Sequence, residues 1–294
     1  MSKNIVLGAD IGGSHISASL VDIENRTLAR PEPMRKEVDS AASADTVIRE
    51  WASVIASCFE GVASSRKRVG IAMPGPVDYD EGICYIRDQH KYEQLYGHNI
   101  KDLLADALSI NRDQIQLIND AAGFLAGEVF SGAGFGFDTV LGLTLGTGLG
   151  SALYKEGRVV DADLWQSPFR DGKAEDYLAG PWLLRVANAQ GDIKFRSVKA
   201  MAMAAPGDAR IRSIFEQFGQ ALGEFLVPQV SRHQPSVLVL GGNITRAAGL
   251  FRPALMEVLS GEGIELDVVP AQIGESAALI GAASLWSEDA FVQA

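Results

Sequence analysis

The residues best suited to chemistry lie in LINDAAGFLAGE, residues 117–128. Its Asn119 and Asp120 follow an apolar run that predicts a strand, and they open an alanine-rich run that predicts a helix. Loops at such junctions on a rigid scaffold often carry function. Glycine turns precede and follow this stretch, DIGGSH at residues 10–15 and LGTGLG at residues 145–150. A carboxylate between two turns that offer backbone N–H groups to phosphate suggests phosphoryl transfer from a nucleotide to a hydroxyl.

The two glycine turns predict phosphate-binding loops, because glycine has no Cβ to obstruct the approach of a backbone to phosphate oxygens. A single Gly-Gly turn is more often an ordinary hairpin, but two at equivalent points of a repeat favour a shared function. Asp10 would repel phosphate, so we expect it to hold Mg²⁺ through a water molecule or to orient the attacking region. The predicted ATP-binding residues of these turns are Asp10, Gly12, Gly13, Ser14, Gly146, Thr147, Gly148 and Gly150.

A third glycine-rich segment, LVLGGNI at residues 238–244, contains a predicted strand. Its Gly241 and Gly242 would let a nucleotide base or ribose lie against the backbone, and both join the predicted ATP site. A strand that ends in Gly-Gly is also a common structural feature, and this alternative stays open. Asp120 has a structural alternative too, as the N-cap of the helix that it opens, although Asn119 would fill that position equally well.

Composition limits the class of protein. Of the 294 residues, 47% are hydrophobic and 21% are charged, as expected of a globular protein long enough for two packed domains. The formal net charge of -11 argues against a nucleic-acid partner, because phosphate contacts need clustered Lys and Arg. No charged-then-apolar leader precedes the first strand and no run of about 18 apolar residues occurs, so we expect a cytoplasmic protein without a membrane partner. Cys58 and Cys84 are too few for a disulfide framework or a cysteine-based zinc site.

A weak internal repeat predicts two related halves of the chain. The segment that starts at Leu141 aligns with the one that starts at Leu7, and both predict a strand, a glycine turn, a strand, a turn and a third strand. Each half continues with α/β units, so an α/β fold is expected. A hairpin is predicted over residues 77–87, and helices over residues 41–63, 100–108, 121 onward, 180–189, 197–204, 211–230, 249–259 and in the alanine-rich C-terminal stretch.

Together these motifs resemble the ROK family of sugar kinases, within the actin-like ATPase superfamily. The similarity runs nearly end to end, through DIGGSH, MPGPVD, IND, LGTGLG, LGGNI and GESAALIGAA, which begin at residues 10, 73, 118, 145, 240 and 274. The resemblance implies an α/β, two-domain actin-like ATPase (ribonuclease H-like) fold with a cleft between the domains. It also implies a homodimer and ATP-dependent phosphorylation of a hexose or N-acetylhexosamine, as in a glucokinase. By the same resemblance, Asp120 takes the proton of the sugar hydroxyl and Asn119 hydrogen-bonds the sugar.

One segment departs from the family pattern. The family carries a GExGH motif and then a cysteine-rich zinc loop that ends in CLExY, whereas residues 162–180 here are ADLWQSPFRDGKAEDYLAG. Asp163 lies where the family has its Glu, and Gln166 where it has its zinc-binding His. Glu175 and Tyr177 keep the Glu-x-Tyr pattern. We therefore predict that the zinc site is lost while a sugar-facing carboxylate remains.

The resemblance and the residues together predict an ATP-dependent sugar kinase with Mg²⁺ as its metal cofactor. Residues 1–118 with 276–294 are predicted to form a smaller domain, and residues 119–275 a larger one. ATP is expected to lie across the glycine turns, with its γ-phosphate aimed at the hydroxyl that Asp120 holds. The predicted sugar-binding residues are Asn119, Asp120, Glu175, Asp163, Gln166 and Gly75.

Two alternatives come from other classes of protein. ROK transcriptional repressors carry an N-terminal helix-turn-helix, but here the first predicted strand starts at Asn4 and the net charge is unfavourable for DNA. The second is a catalytically silent sugar-binding or sensor protein of the same fold, suggested by the lost zinc loop. Retention of Asp10, Asp120 and both glycine turns argues against it.

Overall fold

The structure is a computed structural model, and it describes residues 4–89, 91–190 and 194–287. Its strands are β1 Ile5–Ile11, β2 His15–Asp22, β3 Thr27–Leu28, β4 Met34–Glu37, β5 Val69–Met73, β6 Val77–Asp78, β7 Ile83–Cys84, β8 Ile115–Asn119, β9 Thr139–Leu145, β10 Leu149–Lys155, β11 Arg158–Asp161, β12 Pro168–Phe169, β13 Gly172–Lys173, β14 Val237–Gly241 and β15 Asp267–Pro270. Its α-helices are α1 Ala44–Cys58, α2 Ile100–Leu108, α3 Asp120–Ser131, α4 Glu175–Leu178, α5 Gly180–Ala189, α6 Val198–Ala204, α7 Ala209–His233, α8 Ala248–Gly261 and α9 Ala277–Ser284. Within the described part of the chain, no helix is long and apolar enough to cross a membrane.

Local sequence explains where several elements begin and end. α1 starts after Ser43, whose hydroxyl accepts the backbone N–H of Thr46, and it ends at Cys58, so it is shorter than the predicted helix over residues 41–63. The bounds of α2 and α5 are those predicted. The predicted hairpin is confirmed as the antiparallel pair β6 and β7. Four strands were not predicted, namely β4, β12, β13 and β15.

The first of two compact units comprises the described parts of residues 4–136, 157–161 and 272–287. Its sheet has the strand order β3–β2–β1–β5–β8, and β4 also pairs with β2. β1 is antiparallel to β2 and parallel to β5, and β5 is parallel to β8. The carboxyl ends of β1, β5 and β8 therefore meet at one edge of the sheet, where α/β folds place their ligand sites.

Helices α3 and α9 approach each other and this sheet closely. A Cβ added to Gly8 in β1 would lie 1.9 Å from the carbonyl oxygen of Leu279, and one added to Gly70 in β5 would lie 1.9 Å from that of Ala282. A Cβ added to Gly281 of α9 would lie 1.9 Å from the carbonyl oxygen of Gly123 in α3. Small residues are required at these positions because larger ones would separate the backbones. This explains the alanine-rich and glycine-containing C-terminal helix.

The second unit comprises the described parts of residues 137–156 and 162–271. Its strands lie in the order β10–β9–β14–β15, with β9 antiparallel to β10 and parallel to β14. Helices α7 and α8 contribute Phe215, Phe218 and Phe251 to its buried core. In each unit, the glycine turn joins two antiparallel strands, which confirms the predicted repeat.

The predicted domains and the observed units divide the chain at different residues. α3 groups with the first unit, whereas the predicted larger domain begins at residue 119. Residues 1–3 and 288–294 of the predicted smaller domain lie outside the described residues. The domain boundaries themselves stay a prediction.

Candidate active site

Asn119 and Asp120 lie at the junction of β8 and α3, at the carboxyl edge of the sheet in the first unit. Asn119 is the N-cap of α3, because its Oδ1 accepts the backbone N–H groups of Ala121 at 2.9 Å and Ala122 at 3.1 Å. Asp120 is therefore the first helical residue and not the cap, and its Oδ1 accepts the N–H of Ala121 at 2.9 Å. With Asn119 as the cap, the carboxylate of Asp120 is available for chemistry.

Asp10 and Asp120 are two carboxylates whose surroundings disfavour their charged forms. Asp10, near the end of β1, is half-buried; desolvation and repulsion from Asp120 raise its pKa to about 6, although Arg35 opposes the rise. The side chain of Asp120 reaches solvent, yet enough protein surrounds it that desolvation raises its pKa. The hydrogen bond from Ala121 and the charge of Lys91 oppose this second rise. Neighbouring carboxyl groups with raised pKa values are candidates for proton transfer or metal binding.

Arg35 is a cation near this pair that was not among the predicted site residues. It lies on β4, where it pairs with Ser17 of β2, and Ser17 pairs in turn with Asp10 of β1. The three residues are thus aligned across neighbouring strands. Arg35 places a positive charge beside Asp10 and beside the first glycine turn.

The first glycine turn consists of Gly12, Gly13 and Ser14, between the end of β1 at Ile11 and the start of β2 at His15. Its hydrogen bond runs from the N–H of Gly12 to the carbonyl of His15 at 2.9 Å. Tyr92 holds the turn in place, since its hydroxyl donates to the carbonyl of Gly12 at 2.5 Å and its ring packs on Trp51. Lys91, next to Tyr92 in the chain, also lies near the turn, with its Cδ 3.8 Å from the position of a Cβ added to Gly13.

Gly75 follows β5 and precedes Pro76 through a cis peptide bond. A Cβ added to Gly75 would lie 2.9 Å from the hydroxyl oxygen of Tyr79. That hydroxyl donates to the carbonyl of Met73 at 3.1 Å, and it accepts Nδ2 of Asn119 at 3.3 Å. Gly75 and Asn119 are therefore brought to the same place through Tyr79, a residue that was not predicted to belong to the site.

In the second unit, Glu175 contacts the glycine turn between β9 and β10. Its Oε2 accepts the N–H of Leu149 at 2.9 Å and lies 2.6 Å from the position of a Cβ added to Gly148. Its Oε1 lies 4.0 Å from Nζ of Lys173. Glu175 therefore helps to hold the turn whose predicted phosphate-binding residues are Gly146, Thr147 and Gly148. Its predicted contact with the sugar stays a prediction.

Asp163 and Gln166 are exposed, and they are hydrogen-bonded to each other through Nε2 of Gln166 and Oδ2 of Asp163. The segment is anchored at Leu164, whose N–H donates to Oγ of Ser151 at 2.9 Å. Ser151 lies on β10, two residues after Leu149. The structure thus brings the two predicted sugar-binding residues together on an anchored loop.

The remaining predicted glycines have different local roles. Gly150 lies within β10, paired with Thr144, and not in the turn itself. Gly241 ends β14, and Gly242 follows it with a φ of 85°. A Cβ added to Gly242 would lie 2.3 Å from the carbonyl oxygen of Leu145. The third glycine segment therefore packs against the start of the second glycine turn, which only glycine permits.

The ROK family model matches residues 6–162 and 170–289. The chain belongs to the ROK family. The part of the chain left unmatched between the two ranges includes Asp163 and Gln166, which is the segment where the sequence departs from the family pattern. Over the residues that the structure describes, no group of three or more His, Cys, Asp or Glu side chains is arranged to hold a metal ion.

Relatives match this ROK protein over nearly its whole length. Glucokinase of Thermotoga maritima is 24% identical over 98% of this chain and 99% of its own. N-acetylgalactosamine kinase AgaK of Shewanella sp. is 25% identical over 95% of both chains. The structure of a ROK family glucokinase from Streptomyces griseus in complex with glucose and AMPPNP superposes with a TM-score of 0.76, at 25% identity, over 96% of this chain and 98% of that one. These comparisons confirm the predicted fold class and the predicted enzyme class, a sugar kinase.

Proposed function

We propose that this ROK sugar kinase transfers the γ-phosphoryl group of ATP to a hydroxyl of a hexose or an N-acetylhexosamine. The observation that carries the proposal is the pair Asp10 and Asp120, whose pKa values are raised and which lie beside the first glycine turn at the carboxyl edge of a sheet. Asp10 acts toward the phosphates and their metal ion, and Asp120 acts toward the sugar hydroxyl. Relatives named as a glucokinase and as an N-acetylgalactosamine kinase support the two sugar classes.

ATP and Mg²⁺ fit the residues present. The glycine turns offer backbone N–H groups to phosphates, and Arg35 and Lys91 add positive charge near the first turn. Asp10 supplies a hard carboxylate oxygen of the kind that Mg²⁺ prefers, and repulsion from Asp120 favours a cation beside it. Asp10 would hold the ion through water, as expected from the sequence. When bound, Mg²⁺ neutralises the charge of the phosphates.

Asp120 is the general base in this proposal. The hydroxyl that Asn119 orients passes its proton to Asp120 while its oxygen bonds to the γ-phosphorus and the bond to ADP breaks. Desolvation raises the pKa of Asp120, which makes it a stronger proton acceptor than an ordinary aspartate. Lys91 limits that rise and so favours the ionised form needed at neutral pH.

The rest of the proposed site follows the predicted sets. Gly75 joins Asn119 and Asp120 as a proposed sugar-binding residue of the first unit, and Glu175, Asp163 and Gln166 stay sugar-binding residues predicted from the sequence. The three glycine segments stay the predicted ATP-binding residues. The homodimer, the cytoplasmic location and the absence of nucleic-acid and membrane partners also stay predictions from the sequence.

The test is sugar-dependent release of ADP from ATP and Mg²⁺, measured over a panel of hexoses and N-acetylhexosamines. We expect turnover with at least one sugar and none when Mg²⁺ is omitted. Sugar binding by calorimetry without any ADP release would favour the silent sensor over the kinase. Absence of both turnover and binding across the panel would overturn the proposed function.

A further inference from the structure

We propose that Tyr79 is a positioning residue of the sugar site, which fixes the side-chain amide of Asn119 so that one N–H group faces the substrate. The inference rests on the proposed function, because it concerns how the same site orients its sugar. It adds a residue that neither the glycine turns nor the Asn-Asp motif indicates.

The hydrogen bonds of Asn119 define the orientation of its amide. Its Oδ1 accepts two backbone N–H groups at the start of α3, those of Ala121 and Ala122. An amide flipped by 180° would turn its NH₂ group toward those donors, so the oxygen has to face the helix. Nδ2 then points away from the helix and donates to Tyr79 at 3.3 Å. Asn119 is buried, so an unpaired amide group there would be costly.

The donor and acceptor roles of the Tyr79 hydroxyl are fixed as well. It has a single hydrogen, and it donates this to the carbonyl of Met73 at 3.1 Å. It therefore meets Asn119 as an acceptor. Met73 and Asn119 are register partners at the ends of β5 and β8, so Tyr79 bridges two adjacent strand ends. Gly75 leaves room for this bridge, since a Cβ there would lie 2.9 Å from the hydroxyl oxygen.

The side-chain amide of Asn119 has a second N–H group, which is available to the substrate. Nδ2 carries two hydrogens, and within the described residues its hydrogen-bond partner is Tyr79. The second hydrogen is a donor, so Asn119 binds a sugar oxygen and not a sugar proton. The hydroxyl that donates its proton to Asp120 is the group that accepts this N–H. Tyr79 thereby selects the orientation of the reacting hydroxyl through Asn119.

The first test compares Tyr79→Phe with the parent enzyme. We expect KM for the sugar to rise by about three- to tenfold, the effect of one neutral hydrogen bond. KM for ATP should stay within twofold of the parent value, about the resolution of such kinetics. Tyr96→Phe is the matched control, because Tyr96 is 44% exposed and its loss of a hydroxyl should change neither KM. Thermal unfolding of each variant separates a sugar effect from a loss of stability.

The second test asks whether Tyr79 acts through Asn119. Asn119→Ser keeps an oxygen that can cap α3 and removes Nδ2. If Tyr79 acts through that nitrogen, adding Tyr79→Phe to Asn119→Ser should raise the sugar KM by less than twofold further, as expected of coupled residues. Full additivity would overturn the inference, and so would an unchanged sugar KM in a folded Tyr79→Phe.

The outcomes also separate this inference from the proposed function. If the parent enzyme is active and Tyr79→Phe has the same sugar KM, the inference is overturned and the proposed function is not. Parent protein that binds sugar without turnover would overturn the kinase proposal alone, and the same variants would then be compared by sugar Kd. Parent protein that neither binds nor phosphorylates a sugar would overturn both.

Discussion

The two glycine turns occupy equivalent points of the repeat, yet they differ in the pairing of the flanking strands and in charge. The strand pair that flanks the first turn is Ile11 and Ile16, whereas the pair that flanks the second is Leu145 and Leu149. In the aligned strands, Asp10 of the first unit corresponds to Thr144 of the second.

The surroundings of the turns differ in the same way. Near the first turn lie Asp10, Asp120, Arg35 and Lys91, and the pKa values of both carboxyl groups are raised. At the second turn, the carboxylate of Glu175 is hydrogen-bonded to the turn backbone. We therefore propose that, of the two equivalent turns, the first carries the proton and metal chemistry. We expect changes at the first turn to lower the rate, and changes at the second to weaken binding.

Asp120→Asn should cause the largest effect. It removes the proposed base and keeps the size of the side chain, so kcat should fall by about 10²–10⁴-fold while the KM for sugar changes little. The measurement is steady-state kinetics with the best sugar of the panel. Asp106→Asn, an exposed change in α2 of the same unit, is the control and should be nearly silent. Turnover of a folded Asp120→Asn within a few-fold of the parent enzyme would contradict the role.

Asp10→Asn should lower activity and raise stability. Loss of the carboxylate that we propose as an indirect metal ligand should reduce kcat/KM by about 10–100-fold, as for other residues that act on a metal indirectly. Because burial and repulsion raise the pKa of Asp10 to about 6, its ionised form destabilises the folded protein at neutral pH. Asparagine removes that charge, so Tm at pH 7 should rise by about 2 °C or more.

The stability gain of Asp10→Asn should also depend on pH. A group whose folded pKa is raised binds protons more tightly when folded, so the parent protein recovers the lost stability as pH falls through about 6. The difference in Tm should therefore shrink in acid. Thr144→Val makes a comparable change at the equivalent position of the second unit and should affect kcat/KM far less. Equal losses from the two variants would refute the contrast between the turns.

The pH profile of the parent enzyme should show the charges of the first turn. In the free enzyme, Asp10 faces Asp120 and Arg35, and Asp120 faces Asp10, Lys91 and the backbone of Ala121. Both carboxyl groups have to be ionised to act, so kcat/KM should fall as pH drops below about 6, by roughly tenfold per pH unit for one group. A flat profile down to about pH 5, with the protein still folded by circular dichroism, would contradict this assignment.

Part of this contrast was accessible from sequence. The Asn-Asp pair after an apolar run predicted the strand-to-helix junction correctly, and the glycines marked both turns. Arg35 was missed because the strand MRKE is exposed along its length and shows no apolar alternation. The hydrogen bonds of Tyr79 with Asn119 and of Glu175 with Leu149 join residues 40 and 26 positions apart, in contacts that only the tertiary structure defines.

Glu175 offers a smaller effect that separates its two roles. Glu175→Gln removes the charge of the predicted sugar-binding carboxylate, so the KM for sugar should rise by about tenfold. The variant keeps an oxygen that can accept the N–H of Leu149, so the KM for ATP should stay nearly unchanged. Glu175→Ala removes that acceptor as well, so the KM for ATP should also rise. Glu156→Gln, an exposed change in the turn after β10, is the control. Normal sugar kinetics in both Glu175 variants would leave Glu175 with a structural role alone.

Treatment with a zinc chelator should have no effect on activity or stability, which makes it the smallest of these predictions. Residues 162–180 contain neither Cys nor His, and a structural zinc site needs about four N or S ligands. Other contacts hold this segment, since the N–H of Lys173 donates to Asp176 at 3.0 Å and the ring of Phe169 packs edge-on against Tyr177 and Phe225. A zinc-selective chelator, with Mg²⁺ in excess, should therefore change neither activity nor Tm. Stoichiometric zinc in the purified protein by elemental analysis, or loss of activity on chelation, would show that a metal supports the second unit after all.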